Sequence, residues 1–218
     1  QNELNWFGIQ TAEGKITANE YFGIHNHTFF DIYTAIIYIC WIPVPFTFAM
    51  YLFFSKRRKV LVKFLFAFLS VSLFGLLFQY IYPAAPPWYV ELYGTEGAFQ
   101  EVSGNPGRLI NFDKYFGVNV FSGMYNLNAN VYAAVPSLHC AFPIIQLFFA
   151  IKYKFKKWGI FFTILMISTW FSAVYTNHHY IIDVLCGITT ALIAIATYSL
   201  LIKTKYNDFL NKYGNTIS

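Results

Sequence analysis

The sequence predicts an all-α polytopic membrane protein, and three observations support this fold class. The chain has 218 residues, of which 57% are hydrophobic, 22% aromatic and only 11% charged, whereas a soluble domain averages about 25% charged residues. Such a small charged fraction is too low to cover a globule of this size in water, so lipid must be its main solvent. The other two observations are five long apolar runs and a clustering of basic residues between alternate runs.

The five apolar runs predict five transmembrane helices, since about 20 apolar residues cross a bilayer. They cover residues 29–54, 60–82, 137–151, 158–176 and 180–202. Pro43 and Pro45 should kink the first run. We expect residues 1–218 to form a single membrane-embedded domain. Because the sequence begins with Gln rather than Met, we also expect a native start, with room for a sixth span, before Gln1.

The segments outside the spans predict an outer layer. Residues 1–28 mix acidic and aromatic side chains and indicate an interfacial or external segment. Residues 83–136 are rich in proline and glycine, which favours loops and short helices over another span. We expect this second segment to form the extracytoplasmic part of the active site.

The distribution of positive charge predicts the orientation. Twelve of the fifteen Lys and Arg residues lie within 56–63, 152–157 and 203–212. Five spans place all three clusters on one side, which the positive-inside rule makes the cytoplasm. The formal charge of +5 therefore reflects membrane topology and does not indicate a nucleic-acid partner. We expect a multi-pass protein of a bacterial inner membrane, with a Golgi membrane as the alternative and the site facing the periplasm or lumen.

The cysteines and the first histidines do not indicate a metal site. Cys40, Cys140 and Cys186 all fall in apolar runs without metal-type spacing, so they are interpreted as packing residues. His25 and His27 could form a metal pair, but they lack further ligands and favour an interfacial loop. The sequence predicts neither a metal nor another cofactor.

Two histidine-containing segments lie at the outer ends of predicted spans. His178 and His179 precede the fifth span, and His179 and Asp183 have the i, i+4 spacing that lets side chains on a helix face each other. The carboxylate could then accept an imidazole N–H and raise the basicity of the other nitrogen. Ser137 precedes the third span and could cap it, which places His139 in a first helical turn that favours anions.

These histidines can be interpreted in two ways. Two imidazoles at one depth suit a reaction in which one attacks and the other protonates the leaving group. The alternative is a pair of unrelated histidines in the polar belt at a lipid interface. The shared side and the carboxylate beside His179 favour catalysis.

The same residues resemble a known family. Pro136-Ser137-Leu138-His139 and His179-x-x-x-Asp183 resemble the second and third signatures of the type 2 phosphatidic acid phosphatase superfamily. The third signature of the superfamily begins with Ser-Arg, but here Ala173 replaces the arginine, and the first signature is not found. These departures, the proline-rich 82–89 segment and the Leu-x-x-x-Asp-x-x-x-Gly pattern within 107–117 are similar to the branch that contains inositol phosphorylceramide synthases. Sphingomyelin synthases are more distantly similar.

The resemblance implies phosphoryl transfer through a phosphohistidine without a metal. His179 would be the nucleophile, Asp183 would orient it, and His139 would act as general acid and then as general base. The positive charge at the phosphate must then come from side chains and helix ends. The remaining candidates for substrate binding are His178, Arg108, Lys114, Ser137, Trp88 and Tyr89.

Three functions follow from this resemblance, in order of preference. The first is a lipid phosphotransferase that moves a phospho-alcohol headgroup from a phospholipid donor to a ceramide-type acceptor, with phosphatidylinositol as the best guess for the donor. The second is a lipid phosphate phosphatase, in which water replaces the acceptor. The third is a non-catalytic lipid-binding or transport protein, although a carrier has no need of an oriented imidazole. The sequence does not indicate an oligomeric state.

Overall fold

A computed structural model describes residues 2–95, 102–127 and 130–216, which are almost entirely helical. The helices are α1 (Asn2–Phe7), α2 (Ala18–Ile24), α3 (Thr28–Ile39), α4 (Pro43–Phe54), α5 (Arg58–Ile81), α6 (Pro87–Tyr93), α7 (Ile110–Phe116), α8 (Phe121–Asn126), α9 (Leu138–Lys152), α10 (Lys156–Tyr175), α11 (Ile181–Leu201) and α12 (Tyr206–Thr216), with one 3-10 turn at Gly107–Leu109. Strands β1 (Ile9–Thr11) and β2 (Gly14–Ile16) pair antiparallel in a hairpin that the sequence analysis did not predict. The predicted fold class is confirmed.

All five apolar runs are helical. By length and composition, α5, α10 and α11 can each cross a membrane, and the bent pair of α3 and α4 can form a fourth span. Helix α9 has 15 residues, or about 22 Å of helix, which is shorter than a usual span. Three to four crossings are therefore supported among the described residues, and the chain is a multi-pass membrane protein, while a fifth crossing stays a prediction.

The first run is broken and not merely kinked. Helix α3 ends at Ile39, α4 begins at Pro43, and their axes differ by 46°. Pro43 occupies the first turn of α4, where its missing N–H leaves no hydrogen bond unmade. Pro43 therefore begins a new helix. The sequence predicted a kink at the prolines, and the structure has a break at residues 40–42, directly before Pro43.

The predicted outer segment at 83–136 contains short elements. Helices α6, α7 and α8 and the 3-10 turn lie within it, while residues 96–101 and 128–129 of this segment lie outside the described residues. Asp113 accepts hydrogen bonds from the backbone N–H groups of Val120, Phe121 and Ser122. These bonds lower the pKa of the Asp113 carboxyl, although burial by itself would raise it. This carboxylate thereby holds α7 and α8 together.

The core is built around α9, which packs against α5, α10 and α11. Large aromatic side chains such as Phe64, Phe149, Phe162 and Tyr198 are fully buried there. The opposite faces of the long helices expose large aliphatic side chains, as expected for lipid contact. On α5 these include Leu65, Leu69, Leu73, Leu76 and Leu77.

The N-terminal ends of α9 and α11 approach each other closely. The N–H of Ser137 donates to the carbonyl of Asp183 over 3.1 Å. One turn later, Gly187 faces the Ser137 carbonyl, and a Cβ atom at position 187 would clash with that oxygen. Glycine at 187 therefore permits the approach that brings His139 and His179 to one place.

Gly187→Ala tests this close approach. We expect it to lower the free energy of unfolding by about 1–3 kcal/mol, because the added methyl group overpacks the contact with the Ser137 carbonyl. Thermal unfolding in detergent measures the loss. Gly159→Ala in α10 is the matched control, because its Cβ would meet open space, and equal stability of the two variants would contradict the packing argument.

Candidate active site

The candidate active site is a cavity of about 320 Å³ beside the N-terminal ends of α9 and α11. His139, His178 and His179 all contribute to its wall. The remaining lining is mostly aromatic or aliphatic, and the described lining residues include no Lys, Arg, Asp or Glu. Besides the three histidines, the lining residues include Tyr38, Trp41, Leu76, Gln79, Trp88, Tyr125, Val131, Ala134, Leu138 and Phe142.

His179 is held in one tautomer. Its Nδ1 lies 3.0 Å from the backbone carbonyl of Ala134. A carbonyl oxygen can only accept a hydrogen bond, so Nδ1 carries the hydrogen. The lone pair of the neutral ring is therefore on Nε2, and the side chain, which is 7% exposed, lines the cavity. This is the state required of an imidazole nucleophile.

Asp183 faces His179 as the i, i+4 spacing predicted, but it does not accept the imidazole N–H. The distance from Asp183 Oδ2 to His179 Nδ1 is 3.6 Å, too long for a hydrogen bond. The same oxygen accepts the Tyr180 N–H over 2.8 Å. The expected orienting bond comes from Ala134, because the loop before α9 brings its carbonyl nearer. Asp183 instead caps α11 and places a negative charge beside the imidazole.

His139 lies in the first turn of α9, as predicted, and its ring is 5.7 Å from the ring of His179 between centroids. Tyr38 stacks on His139 at 4.5 Å, and Trp41 meets it edge-on at 5.1 Å. The electron-rich faces of aromatic rings attract cations. The Tyr38 hydroxyl is 3.4 Å from His139 Nδ1, so it can accept from that nitrogen when the imidazole is protonated.

The two helix starts at the cavity differ in their caps. Ser137 is fully buried and its side chain caps no backbone N–H, contrary to the prediction, although its backbone has the extended conformation usual for a capping residue. Helix α11 is fully capped, since Glu3 of α1 accepts from the N–H groups of Ile181 and Ile182 at 2.9 and 3.1 Å. The positive end of α9 is thus left for an anion in the cavity.

His178 lines the cavity in a second fixed tautomer. Its Nδ1 lies 3.1 Å from the Thr176 carbonyl and 3.2 Å from the Thr176 hydroxyl, so Nδ1 donates. Its Nε2 is buried and has no hydrogen-bond partner among the described residues. Burial, followed by the proximity of His179, lowers the pKa of His178 to about 3. The ring is therefore neutral near neutral pH.

The two predicted cations are not part of the cavity wall. The Arg108 guanidinium donates to the carbonyls of Tyr175 and Asn19, and its backbone N–H donates to Thr176. Arg108 therefore lies behind the histidine turn, on the side away from the cavity. Lys114 is exposed on α7 and does not line the cavity either.

The two predicted aromatic residues of α6 differ in position. Trp88 is buried and lines the cavity. Tyr89 is also buried, but it contacts Trp88 and Tyr132 edge-on and does not reach the cavity wall. Trp88 thus forms part of the site, and Tyr89 supports it from behind.

Several positioning residues were missed by the sequence analysis. Gln79 donates to the carbonyls of Ala133 and Pro136, and Ala84 pairs with the 132–134 segment, which places the Ala134 carbonyl. Asn19 donates to the carbonyls of Val174 and His179. A polar side chain within an apolar run, such as Gln79, is the only one of these that carries a signal in the sequence.

These features define a class: a helical membrane protein with paired histidines in a buried, mostly apolar cavity. The chain belongs to the PAP2 superfamily, whose family model matches residues 16–197. No solved structure matches the chain significantly.

Curated relatives refine this assignment. The chain is 41% identical, over 97% of its length and 70% of the relative's, to phosphoinositol dihydroceramide synthase of Bacteroides thetaiotaomicron. It is 34% identical to the catalytic subunit of inositol phosphorylceramide synthase of Saccharomyces cerevisiae, over 62% of this chain and 32% of that one. For inositol phosphorylceramide synthase of Candida albicans, the identity is 32% over 71% and 34% of the two chains. The chain thus spans about a third of the length of these fungal relatives.

The comparisons confirm the family resemblance seen in the sequence and the prediction of a lipid phosphotransferase of this superfamily. The roles of individual residues remain predictions, because the comparisons concern whole chains.

Gly107→Ala tests whether activity depends on the position of His178, which packs against the loop at Gly107. Gly107 has a positive φ of 52°, and its Cβ would meet the Thr176 carbonyl and lie 3.1 Å from the His178 ring. We expect turnover to fall by roughly 10- to 100-fold, since small displacements at a reacting centre are costly. Lipid turnover by the purified variant measures this.

Gly117→Ala is the matched control for backbone strain. Gly117 has a φ of 65° and open space around its Cβ position, so both variants carry a similar left-handed penalty of about 1–2 kcal/mol. Equal activity of the two variants would show that the contact with the His178 turn is unimportant.

Proposed function

We propose that this chain transfers a phosphoinositol group from phosphatidylinositol to a ceramide-type lipid through a phosphohistidine at His179. The observation that carries the mechanism is the pair of imidazoles with ring centroids 5.7 Å apart in a buried cavity, one of them with its lone pair on Nε2. The substrates are proposed by analogy with the phosphoinositol dihydroceramide and inositol phosphorylceramide synthases that the chain resembles.

In the first step, His179 Nε2 attacks the phosphorus of the donor. An N–P bond forms while the P–O bond to diacylglycerol breaks. The leaving oxygen takes a proton from His139, which enters this step as an imidazolium. Protonation of a leaving group by a positioned acid contributes typically about 10²- to 10⁴-fold to rate.

In the second step, the primary hydroxyl of the ceramide attacks the same phosphorus. Its proton goes to His139, which is now neutral, while the N–P bond breaks and His179 is restored. The proton that left with diacylglycerol is thereby replaced, and both histidines return to their starting states. No metal is required, because the reacting phosphodiester carries one negative charge that the first turn of α9 can stabilise.

The cavity wall favours transfer over hydrolysis. Trp41, Leu76, Trp88, Val131 and Phe142 surround the histidines with apolar surface, and an apolar wall offers few sites for ordered water. A lipid alcohol can enter such a site along apolar surface, whereas that surface offers water few hydrogen bonds. The phosphatase function is kept as an outcome of the test below.

We also propose the membrane arrangement in which this chemistry occurs. The bent pair α3 and α4 and helices α5, α9, α10 and α11 would form five spans of one membrane-embedded domain. The basic residues at the ends of α4 and α9 would face the cytoplasm, and the cavity would open to the extracytoplasmic side. The bacterial relative supports a bacterial inner membrane.

Purified protein incubated with phosphatidylinositol tests the function. With ceramide present, we expect diacylglycerol and phosphoinositol-ceramide in equal amounts by lipid mass spectrometry, because each turnover releases one molecule of both. Without ceramide, diacylglycerol should stop at about one equivalent of enzyme. Continuous release of inositol phosphate in both reactions would show hydrolysis in place of transfer, and release of neither product would contradict the donor.

His179→Ala and His139→Ala test the two roles. We expect His179→Ala to lower transfer by more than about 10³-fold, as loss of a nucleophile does, and to abolish a phosphoinositol adduct on the peptide that contains residue 179. His139→Ala should lower transfer by roughly 10²- to 10⁴-fold. His25→Ala is the control, since His25 is exposed and stacks on Tyr21. An adduct that persists in His179→Ala would remove the nucleophile assignment.

A further inference from the structure

His178 has a buried acceptor atom that the proposed mechanism does not use. Its side chain is 5% exposed, its Nδ1 donates to Thr176, and its Nε2 is buried without a partner among the described residues. A buried polar atom left without a hydrogen bond destabilises the folded protein. The cavity that His178 lines is therefore expected to supply a donor when it is occupied.

The tautomer decides what that donor can be. A nitrogen lone pair repels the oxygens of a phosphate and cannot bind them. It can accept from an O–H or N–H group of a ligand. Since the ring is neutral near neutral pH, this property does not depend on pH in that range. A hydroxyl group is the simplest donor on the substrates proposed above.

The order of the cavity wall indicates which end of the substrate reaches His178. His139 contacts Trp41 at 5.1 Å, and Trp41 stacks on Phe142 at 6.2 Å, so the acid lies beside the most apolar part of the wall. Tyr38 contacts both His139, at 4.5 Å, and His178, at 5.1 Å, and so borders both histidines. His178 also contacts Tyr125 at 4.7 Å.

This order separates the two substituents of a phosphodiester. If His139 protonates the lipid oxygen, the acyl chains lie towards Trp41 and Phe142. The headgroup that stays on phosphorus then extends past Tyr38 towards His178 and Tyr125. The lone pair of His178 therefore faces the headgroup and not the leaving lipid.

We propose that His178 Nε2 accepts a hydrogen bond from a hydroxyl group of a polyol headgroup and so selects donors that carry one. This inference rests on the proposed phosphotransfer. It makes His178 a specificity-determining residue, since its effect is confined to one contact with the headgroup. A site that is built to bond a hydroxyl rejects an analogue that lacks it, because the buried partner is then left unpaired.

The test is a double-mutant cycle between His178 and the substrate. Synthetic phosphatidylinositols that each lack one ring hydroxyl are compared with phosphatidylinositol by kcat/KM for diacylglycerol release, in wild type and in His178→Phe. The phenylalanine ring keeps the contacts with Tyr38 and Tyr125 but has no acceptor. In wild type, we expect kcat/KM for one deoxy donor to be roughly 10-fold lower than for phosphatidylinositol. In His178→Phe, we expect kcat/KM for the same two donors to be equal.

Two further variants keep the result interpretable. His178→Gln retains an acceptor oxygen and should keep part of the discrimination between phosphatidylinositol and the deoxy donor. His25→Phe makes the same substitution at an exposed histidine and should keep all of this discrimination. If His178→Phe fails to fold, wild type still decides, because a wild type that uses every deoxy donor as well as phosphatidylinositol would overturn the proposal.

The acceptor lipid is tested in parallel. Ceramide and its 3-deoxy analogue are compared in the same variants, and coupling of His178 to the acceptor hydroxyl alone would overturn the headgroup assignment. The headgroup assignment would also be overturned if every deoxy donor lowered kcat/KM by the same factor in wild type and in His178→Phe. Failure of wild type to release diacylglycerol from any donor would instead reject the proposed phosphotransfer itself.

Discussion

The site depends on a single constraint: the backbone turn between α10 and α11 must be buried, so its carbonyl groups need partners. Those partners come from distant segments. Asn19 donates to the carbonyls of Val174 and His179, Arg108 donates to those of Tyr175 and Thr176, and the Trp88 N–H donates to that of Asn177 over 3.1 Å. Together these bonds fix the backbone that carries both histidines.

This constraint also explains the electrostatics of the cavity. Arg108 is used to satisfy carbonyl groups at the turn, and its guanidinium does not line the cavity. In the proposed mechanism the site then binds the anion with the His139 imidazolium and the first turn of α9. A phosphodiester with a single charge suits such a site better than a doubly charged phosphomonoester. The proposal of a transferase that uses phosphodiester donors is consistent with this distribution of charge.

The packing of α9 against α11 brings the imidazoles of His139 and His179 together. Gly187 allows the Ser137 carbonyl to approach α11, and Glu3 and Asp183 cap the start of α11. The N-terminal segment, which by sequence is only an interfacial stretch, thus helps to fix the N-terminal end of α11. Its helices are part of the site's support, because Glu3 and Asn19 are both buried.

The sequence by itself determined the helical membrane fold, the family and the pairing of His179 with Asp183, because apolar length and i, i+4 spacing are local properties. Only the tertiary structure decided which atom receives the His179 N–H, where Arg108 points, and that Ser137 leaves α9 uncapped. These depend on contacts between segments far apart in sequence, such as Ala134 with His179, 45 residues apart, and Asn19 with His179, 160 residues apart. Such hydrogen bonds have no periodic pattern, since they arise only when packing brings the segments together.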